Sequence, residues 1–378
     1  MCRPSPYPPF RRATFRLFTG LLCLLPGGTG RVWGAEPAAP PSCGPAIVAP
    51  APRTPLPAGV SGRVSFFAAL YDARSGQVIR ELALGRANDL YPLASLYKPL
   101  VVRAALEDVD AGRLSLTTGL ATTPATRSIE AFPPGVNSVQ RLVRRAIVQS
   151  DNTASDLLQL AHGPGRLARE VLTRSPCTAA LLTTKAWWTA QAGLTPGVLG
   201  RDRAAGARRY ARLPFEERVA AASQLIAASR RVTGPGLEAA LERFFHGPEY
   251  RPELELDLQN TGTARAYTEL MRRTLSGAGL RPGTRRLFRE VMSEGCCKPA
   301  APRLHATYWA AKAGSGWRIL TLTGYAELPG GATLAYTYLN DRSLTTESED
   351  MERQLPAVTR WIGAGLLELS APRPGARS

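Results

Sequence analysis

The stretch Tyr91-Pro-Leu-Ala-Ser-Leu-Tyr-Lys-Pro-Leu100 sets Ser95 and Lys98 three residues apart, where an extended segment gives way to an apolar-periodic helix. Residues three apart on a helix share a face, so Lys98 is expected one turn along, within reach of the Ser95 hydroxyl. The helix start offers unpaired N–H groups and the positive end of the dipole, which would stabilise an oxyanion forming beside Ser95. A serine hydroxyl is a weak nucleophile at neutral pH, but a lysine buried near other cations can lose its proton and become the base that activates it. Alone, the spacing reads more readily as a capping serine beside a solvated lysine. Lysine usage alters that balance. Of 47 lysines and arginines only four are lysine, Lys98, Lys185, Lys298 and Lys312. Arginine keeps its proton, so a lysine that survives in an arginine-rich chain points to a need for lysine as such. The pattern is one half of a Ser/Lys acyl-transfer site.

Upstream, Arg63–Tyr71 and Gln77–Leu84 are strand-like runs joined by Asp72-Ala-Arg-Ser-Gly76, a hairpin signature. From Ser95 the spacing of Leu96, Leu100, Val101, Ala104 and Leu106 predicts a helix ending near Gly112. A polar Thr/Pro segment over 116–136 follows, then a helix over 138–150 and, at once, another carrying Leu157, Leu158 and Leu160. Ser150-Asp151-Asn152 therefore falls in a short interhelical loop, which by itself is most simply an Asn/Asp turn. Residues 164–300 read as helices over 164–173, 215–230, 235–246, 263–276 and 284–294. Strand character returns at Ala306–Lys312, Trp317–Tyr325 and Ala332–Tyr338, and a helix over 346–369 closes the chain. Strands at both ends around a helical middle predict an α/β (α+β) fold: one antiparallel sheet built from both chain ends, flanked by helices, with an all-helical lobe inserted. The expected division is 61–94 with 303–372 as the α/β lobe and 95–302 as the helical lobe. A site would lie in the crevice between them.

The chain has 378 residues, 44% hydrophobic and 20% charged, enough to bury a large core. Arg11 and Arg12 before an apolar run from Phe15 to Pro26 read as an export signal over 1–35, and residues 36–60 as a Pro/Ala-rich linker. Export to the periplasm, envelope or medium is the expected localisation. Cys43, Cys177, Cys296 and Cys297 would remain after cleavage near Ala35, with three full pairings open. His162, His246 and His305 lack metal-ligand spacing, so no metal and no cofactor is expected. A net charge of +17 is compatible with association with an anionic cell envelope; without aromatic-interleaved basic runs no nucleic-acid partner is expected, and the chain is expected to be a monomer.

Ser95-Leu-Tyr-Lys98, Ser150-Asp-Asn152 and Lys312-Ala-Gly314 resemble, in order, the three elements of the serine β-lactamase and penicillin-binding protein superfamily. The surroundings of Ser95 and Ser150, and Thr263-Ala-Arg265 opening a later helix, look most like class A β-lactamases. The resemblance extends over roughly 62–370, with 185–260 as a poorly matching insert. It implies Ser95 as the acylated nucleophile, Lys98 as its base, and Ser150 as proton donor to the departing lactam nitrogen. Asn152 would hold the substrate's side-chain amide. Lys312, with Ala313, Gly314 and Ser315, would line the substrate carboxylate site. The backbone N–H groups of Ser95 and Ser315 would form the oxyanion hole.

Two departures bear on activity. Ala313 stands where the family has a hydroxyl residue, which Ser315 would partly replace. Class A enzymes also use a glutamate to drive water onto the acyl-enzyme, and no carboxylate occurs between Glu170 and Asp202; the matching region is Thr183–Thr189, with Glu216 or Glu217 as substitute bases. The leading expectation is an exported serine hydrolase that opens β-lactams through acyl-Ser95, with slow deacylation. The alternatives are a penicillin-binding protein or D-alanyl-D-alanine peptidase acting on peptidoglycan stem peptides, and a non-catalytic envelope-binding module.

Overall fold

A computed structural model describes residues 43–44, 48–299, 301 and 304–371. The expected export segment, and residues 36–42 and 45–47 of the expected linker, lie outside the described residues. In chain order the strands are β1 (Arg63–Tyr71), β2 (Val78–Leu84), β3 (Tyr91–Pro92), β4 (Gly119–Ala121), β5 (Val136–Ser138), β6 (Thr178–Ala179), β7 (Thr261–Gly262), β8 (Tyr308–Gly316), β9 (Ile319–Glu327) and β10 (Thr333–Asp341). The helices are α1 (Lys98–Asp110), α2 (Val139–Val148), α3 (Asn152–His162), α4 (Pro164–Arg174), α5 (Thr184–Gln191), α6 (Pro196–Leu199), α7 (Arg203–Arg212), α8 (Phe215–Ser229), α9 (Gly234–Phe245), α10 (Pro252–Leu258), α11 (Ala264–Leu275), α12 (Pro282–Glu294), α13 (Ser348–Glu352) and α14 (Leu355–Ser370).

Five strands form one antiparallel sheet in the order β2-β1-β10-β9-β8. The two chain ends meet where Arg63–Tyr71 pairs with Thr333–Asp341, as the strand pattern at both ends predicts. The sheet is apolar on both faces because alternate side chains point to opposite sides and both sides are covered. Phe66, Ala68 and Leu70 of β1 pack with Trp361, Ile362 and Leu366 of α14, while Phe67, Ala69 and Tyr71 join the larger core of α1, α2, α3, α11 and α12. The closing helix is two pieces: Ser348–Glu352, then Leu355–Ser370 with a proline at its start, where a missing N–H is harmless.

The middle of the chain is more helical than its periodicity announces. Segments 184–191, 196–199, 203–212 and 252–258 are short helices, too brief to show a clear apolar stripe. The insert is tied back to the sheet through aromatic rings: Phe245 stacks on Trp317 just beyond β8 at 5.0 Å, and His246 meets the same ring edge-on at 4.8 Å. Cys43 pairs with Cys177 and Cys296 with Cys297, which settles the pairing left open above. Among the described residues no helix is long and apolar enough to cross a membrane, and no group of His, Cys, Asp and Glu is arranged to hold a metal ion.

Candidate active site

Ser95 sits in a single 3-10 turn, Ala94–Tyr97, that leads directly into α1, so the sharp turn and the helix start coincide. Ala94 before it has φ of 45°, the left-handed region that residues with a Cβ rarely enter. The turn is held from three sides. Leu93 N–H donates to Asn260 O at 2.9 Å, Thr321 Oγ1 on β9 donates to Leu93 O at 3.1 Å, and Tyr267 Oη on α11 donates to Leu96 O. β8 is the edge strand of the sheet, so alternate backbone groups along it face away from β9. Its Gly314 lies against the turn: a Cβ there would sit 2.6 Å from Ser95 N and 2.7 Å from Thr321 Oγ1, so only glycine permits the approach. That approach sets the Ser95 backbone against β8 at Gly314, the residue before Ser315.

The structure brings Lys98, Ser150, Asn152 and Lys312 into one hydrogen-bonded group. Lys98, fully buried, donates from Nζ to Ser150 O, to Ser150 Oγ at 3.2 Å and to Asn152 Oδ1 at 2.7 Å. Lys312, also buried, donates to the same Ser150 Oγ at 2.8 Å and to Ala313 O. Ser150 therefore lies between two amines. The predicted reach from Lys98 to Ser95 is not a hydrogen bond here: the lysine takes its partners from the α2–α3 loop, because burial demands an acceptor for each N–H and that loop offers several. Ser150 has φ of 53°, and its loop is fixed by Asp151, which caps α3 by accepting from Ala154 N at 2.8 Å and receives Arg145 at 2.8 and 2.6 Å.

Burial pushes the Lys98 ammonium down to about 8, against the opposing fields of Glu130, Asp151 and Asp156. Lys312 is held well below the ordinary lysine value by burial and then by the charge on Lys98, with Glu352 acting the other way. Two cations sharing one site without full solvent exposure each make the other easier to deprotonate.

Three acidic residues at this site escape sequence reasoning. Glu130 lies in the polar loop 116–136, which is anchored by Ser128 N–H to Thr153 Oγ1 at 3.0 Å and by Lys185 Nζ to Pro124 O and Ala125 O at 3.1 and 2.9 Å. Its Oε2 accepts from Asn152 Nδ2 at 2.9 Å, and its backbone φ is 66°. Burial of its carboxyl raises it above the ordinary glutamate value, opposed by the field of Lys98, although the residue as a whole is exposed to solvent. Asp156, buried on α3, accepts from the N–H groups of Thr184 and Lys185 at 2.7 and 2.9 Å and so caps α5; burial raises it to about 6. Glu352 on α13 accepts from Ser315 Oγ at 2.6 Å. No spacing in the sequence relates these residues to Ser95. The one available signal was Asp156 itself, one helical turn beyond Asn152.

Residues 171–201 bring no carboxylate to Ser95. Thr183–Gln191 instead packs as α5 with its capping residue, Trp187 lying edge-on to Tyr97 at 5.4 Å and Thr184 Oγ1 2.7 Å from Tyr97 Oη. Glu216 does not substitute: it is exposed and paired with Arg169 at 2.5 Å, which holds its carboxyl below the usual range. Glu217 is exposed on the same first turn of α8. Ser315 offers no free hydroxyl in place of the one Ala313 lacks, because Glu352 occupies it.

The sequence profile of the Beta-lactamase enzyme family matches residues 70–168, the segment that holds Ser95, Lys98 and Ser150–Asn152. A β-lactamase of Kitasatospora aureofaciens is 30% identical over 168 residues, covering 40% of this chain and 49% of that protein. One of Streptomyces lavendulae is 36% identical over 103 residues, 23% of this chain and 33% of the other. The chain thus matches about half the length, or less, of these relatives. Among solved structures, a β-lactamase from Burkholderia vietnamiensis superposes with a TM-score of 0.51 at 20% identity, covering 83% of this chain and 93% of that one. An ancestral class A β-lactamase does so with a TM-score of 0.50 at 19% identity, covering 81% and 94%. The fold is that of the class A β-lactamases. The chain is thus similar to the Beta-lactamase enzyme family over part of its sequence and to class A β-lactamases in its fold.

Proposed function

We propose that the protein is a serine hydrolase that opens β-lactams through an acyl-Ser95 intermediate. The observation that carries this reading is Ser150 Oγ held between the buried amines of Lys98 and Lys312, 3.2 and 2.8 Å away. In the neutral form Lys98 takes the Ser95 proton as Ser95 Oγ bonds to the lactam carbonyl carbon. The tetrahedral oxyanion is met by the N–H groups of Ser95 and Ser315. Ser150 gives its proton to the lactam nitrogen as the C–N bond breaks, and Lys98 returns a proton to Ser150. The ring-opened acyl group is left on Ser95 and the amines regain their starting state.

Hydrolysis of that ester needs a base for water, and such help is worth about two to four orders of magnitude in rate. The carboxylate-free stretch 171–201 and the pairing of Glu216 with Arg169 favour slow deacylation. The same observations favour a second reading, a penicillin-binding protein or D-alanyl-D-alanine peptidase whose penicillin adduct persists. Export is supported by Cys43–Cys177, since disulfides persist in oxidising compartments.

A labelled penicillin followed by intact mass and peptide mapping tests the reading. A single adduct on Ser95, absent in Ser95→Ala, is the expected result; an adduct elsewhere, or none, overturns it. With a chromogenic cephalosporin, a burst equal to the enzyme concentration followed by slow turnover is expected of the lactamase, and a burst without turnover of the peptidase.

A further inference from the structure

Asn152 is the residue to which the resemblance assigns the substrate's acyl amide, and one of the two N–H groups of its amide nitrogen is already engaged. The orientation of that side chain follows from the Lys98 ammonium, which is a donor only: the Asn152 oxygen faces it and the nitrogen faces the opposite way, into the carboxylate of Glu130. Glu130 Oε2 takes one of the two N–H groups of Asn152 Nδ2, at 2.9 Å, so a substrate carbonyl accepting the other would lie beside that carboxylate. Its other oxygen has no hydrogen-bond partner among the described residues. Across the cleft Ser315, next to the substrate carboxylate site, donates to Glu352 at 2.6 Å. The negative charges of Glu130 and Glu352 are close enough to raise Glu130's proton affinity together with Glu349 and Glu238. In a chain of net charge +17 this mouth is locally acidic.

We propose that Glu130 is a specificity-determining residue, selecting acyl groups that carry an ammonium on the carbon next to the side-chain amide. This rests on the acyl-Ser95 reading above. A neutral acyl group that accepts the second N–H of Asn152 gains nothing from Glu130, whereas an α-ammonium beside it meets the free oxygen of Glu130 as a donor and leaves the Asn152–Glu130 contact in place. An anionic acyl group meets like charge from Glu130 and gains nothing. The selection is therefore by charge, and it acts on the acyl side of the bond that Ser95 attacks. The loop that carries Glu130 is held by Thr153 and Lys185, and the Glu130 N–H is itself held by Glu238 Oε1 at 2.9 Å. The carboxylate is accordingly placed by structure rather than sampled from solvent.

Three penicillins that differ only in the substituent on the carbon next to the side-chain amide test this: ammonium in aminobenzylpenicillin, hydrogen in benzylpenicillin, carboxylate in carboxybenzylpenicillin. Second-order rates of Ser95 acylation are read by intact mass for the wild type and for Glu130→Gln, which keeps an acceptor for Asn152 and removes the charge. In the wild type the rate should fall about ten-fold from ammonium to hydrogen and again to carboxylate, the scale of one close charge pair. In Glu130→Gln the three rates should converge to within about three-fold. Wild-type adducts formed without this order overturn the inference alone. An order that persists in Glu130→Gln removes Glu130 from it. No adduct with any of the three overturns the acyl-Ser95 reading, and the inference with it.

Discussion

Replacing Lys98 by arginine separates a base from a charge. Lys98 is fully buried and its three acceptors, Ser150 O, Ser150 Oγ and Asn152 Oδ1, would all accept from a guanidinium. If the residue served only as a cation, Lys98→Arg would retain most of the acylation rate. The structure argues otherwise. Burial lowers the Lys98 ammonium below the ordinary lysine value and so enlarges its neutral fraction, which at the ordinary 10.5 would be only about 0.03% at pH 7. Arginine keeps its proton throughout this range and supplies essentially no neutral form. The rate should then fall to that of a site without a base, about 100- to 10,000-fold below wild type, and match Lys98→Ala within a few-fold. The assay is the pseudo-first-order appearance of the Ser95 penicillin adduct by intact mass, with a thermal melt to confirm folding. Because the active form is the neutral amine, wild-type acylation should rise as pH increases through about 8, and this rise should vanish in both variants. Lys98→Arg acylating within about ten-fold of wild type, with the same pH profile, would refute the reasoning.

Asp156→Asn probes the buried acid beneath Lys98. Its folded-state carboxyl is raised to about 6 from 3.8 by burial, so it favours folding most below about 3.8 and loses that contribution as pH rises to about 6, on the order of 3 kcal/mol in all. The variant leaves either the Thr184 or the Lys185 N–H without an acceptor, a cost of about 1–3 kcal/mol. Relative to wild type it should be weakest near pH 4 and recover toward pH 7 in urea unfolding; a difference that does not vary with pH argues against a raised Asp156. Gly314→Ala places a Cβ 2.6 Å from Ser95 N, a backbone atom that can yield only by moving the nucleophile's turn. Destabilisation of about 1–3 kcal/mol and loss of Ser95 labelling are expected, and labelling at the wild-type rate would show that Gly314 does not position Ser95.

The three short motifs were legible because each chemistry demands a residue type at a local spacing: Ser95 and Lys98 one turn apart, Ser150 to Asn152 in a loop between helices, Lys312 and Gly314 on a strand. The scarcity of lysine sharpened that signal, since arginine cannot replace a group that must release its proton. The sheet was legible too, because strands with two buried faces read as apolar runs and their position at both chain ends admits few pairings. Tertiary structure alone decided which groups each amine would touch. Lys98 turned from its neighbour Ser95 to Ser150 and Asn152, fifty-odd residues away, because a buried ammonium takes whatever acceptors surround it. Glu130, Asp156 and Glu352 joined the site for the same reason. A carboxylate's field reaches across space without regard to chain distance, and which ones come within a few ångströms of Lys98 or Ser315 depends on how a polar loop, the start of α5 and α13 pack, which no periodicity records.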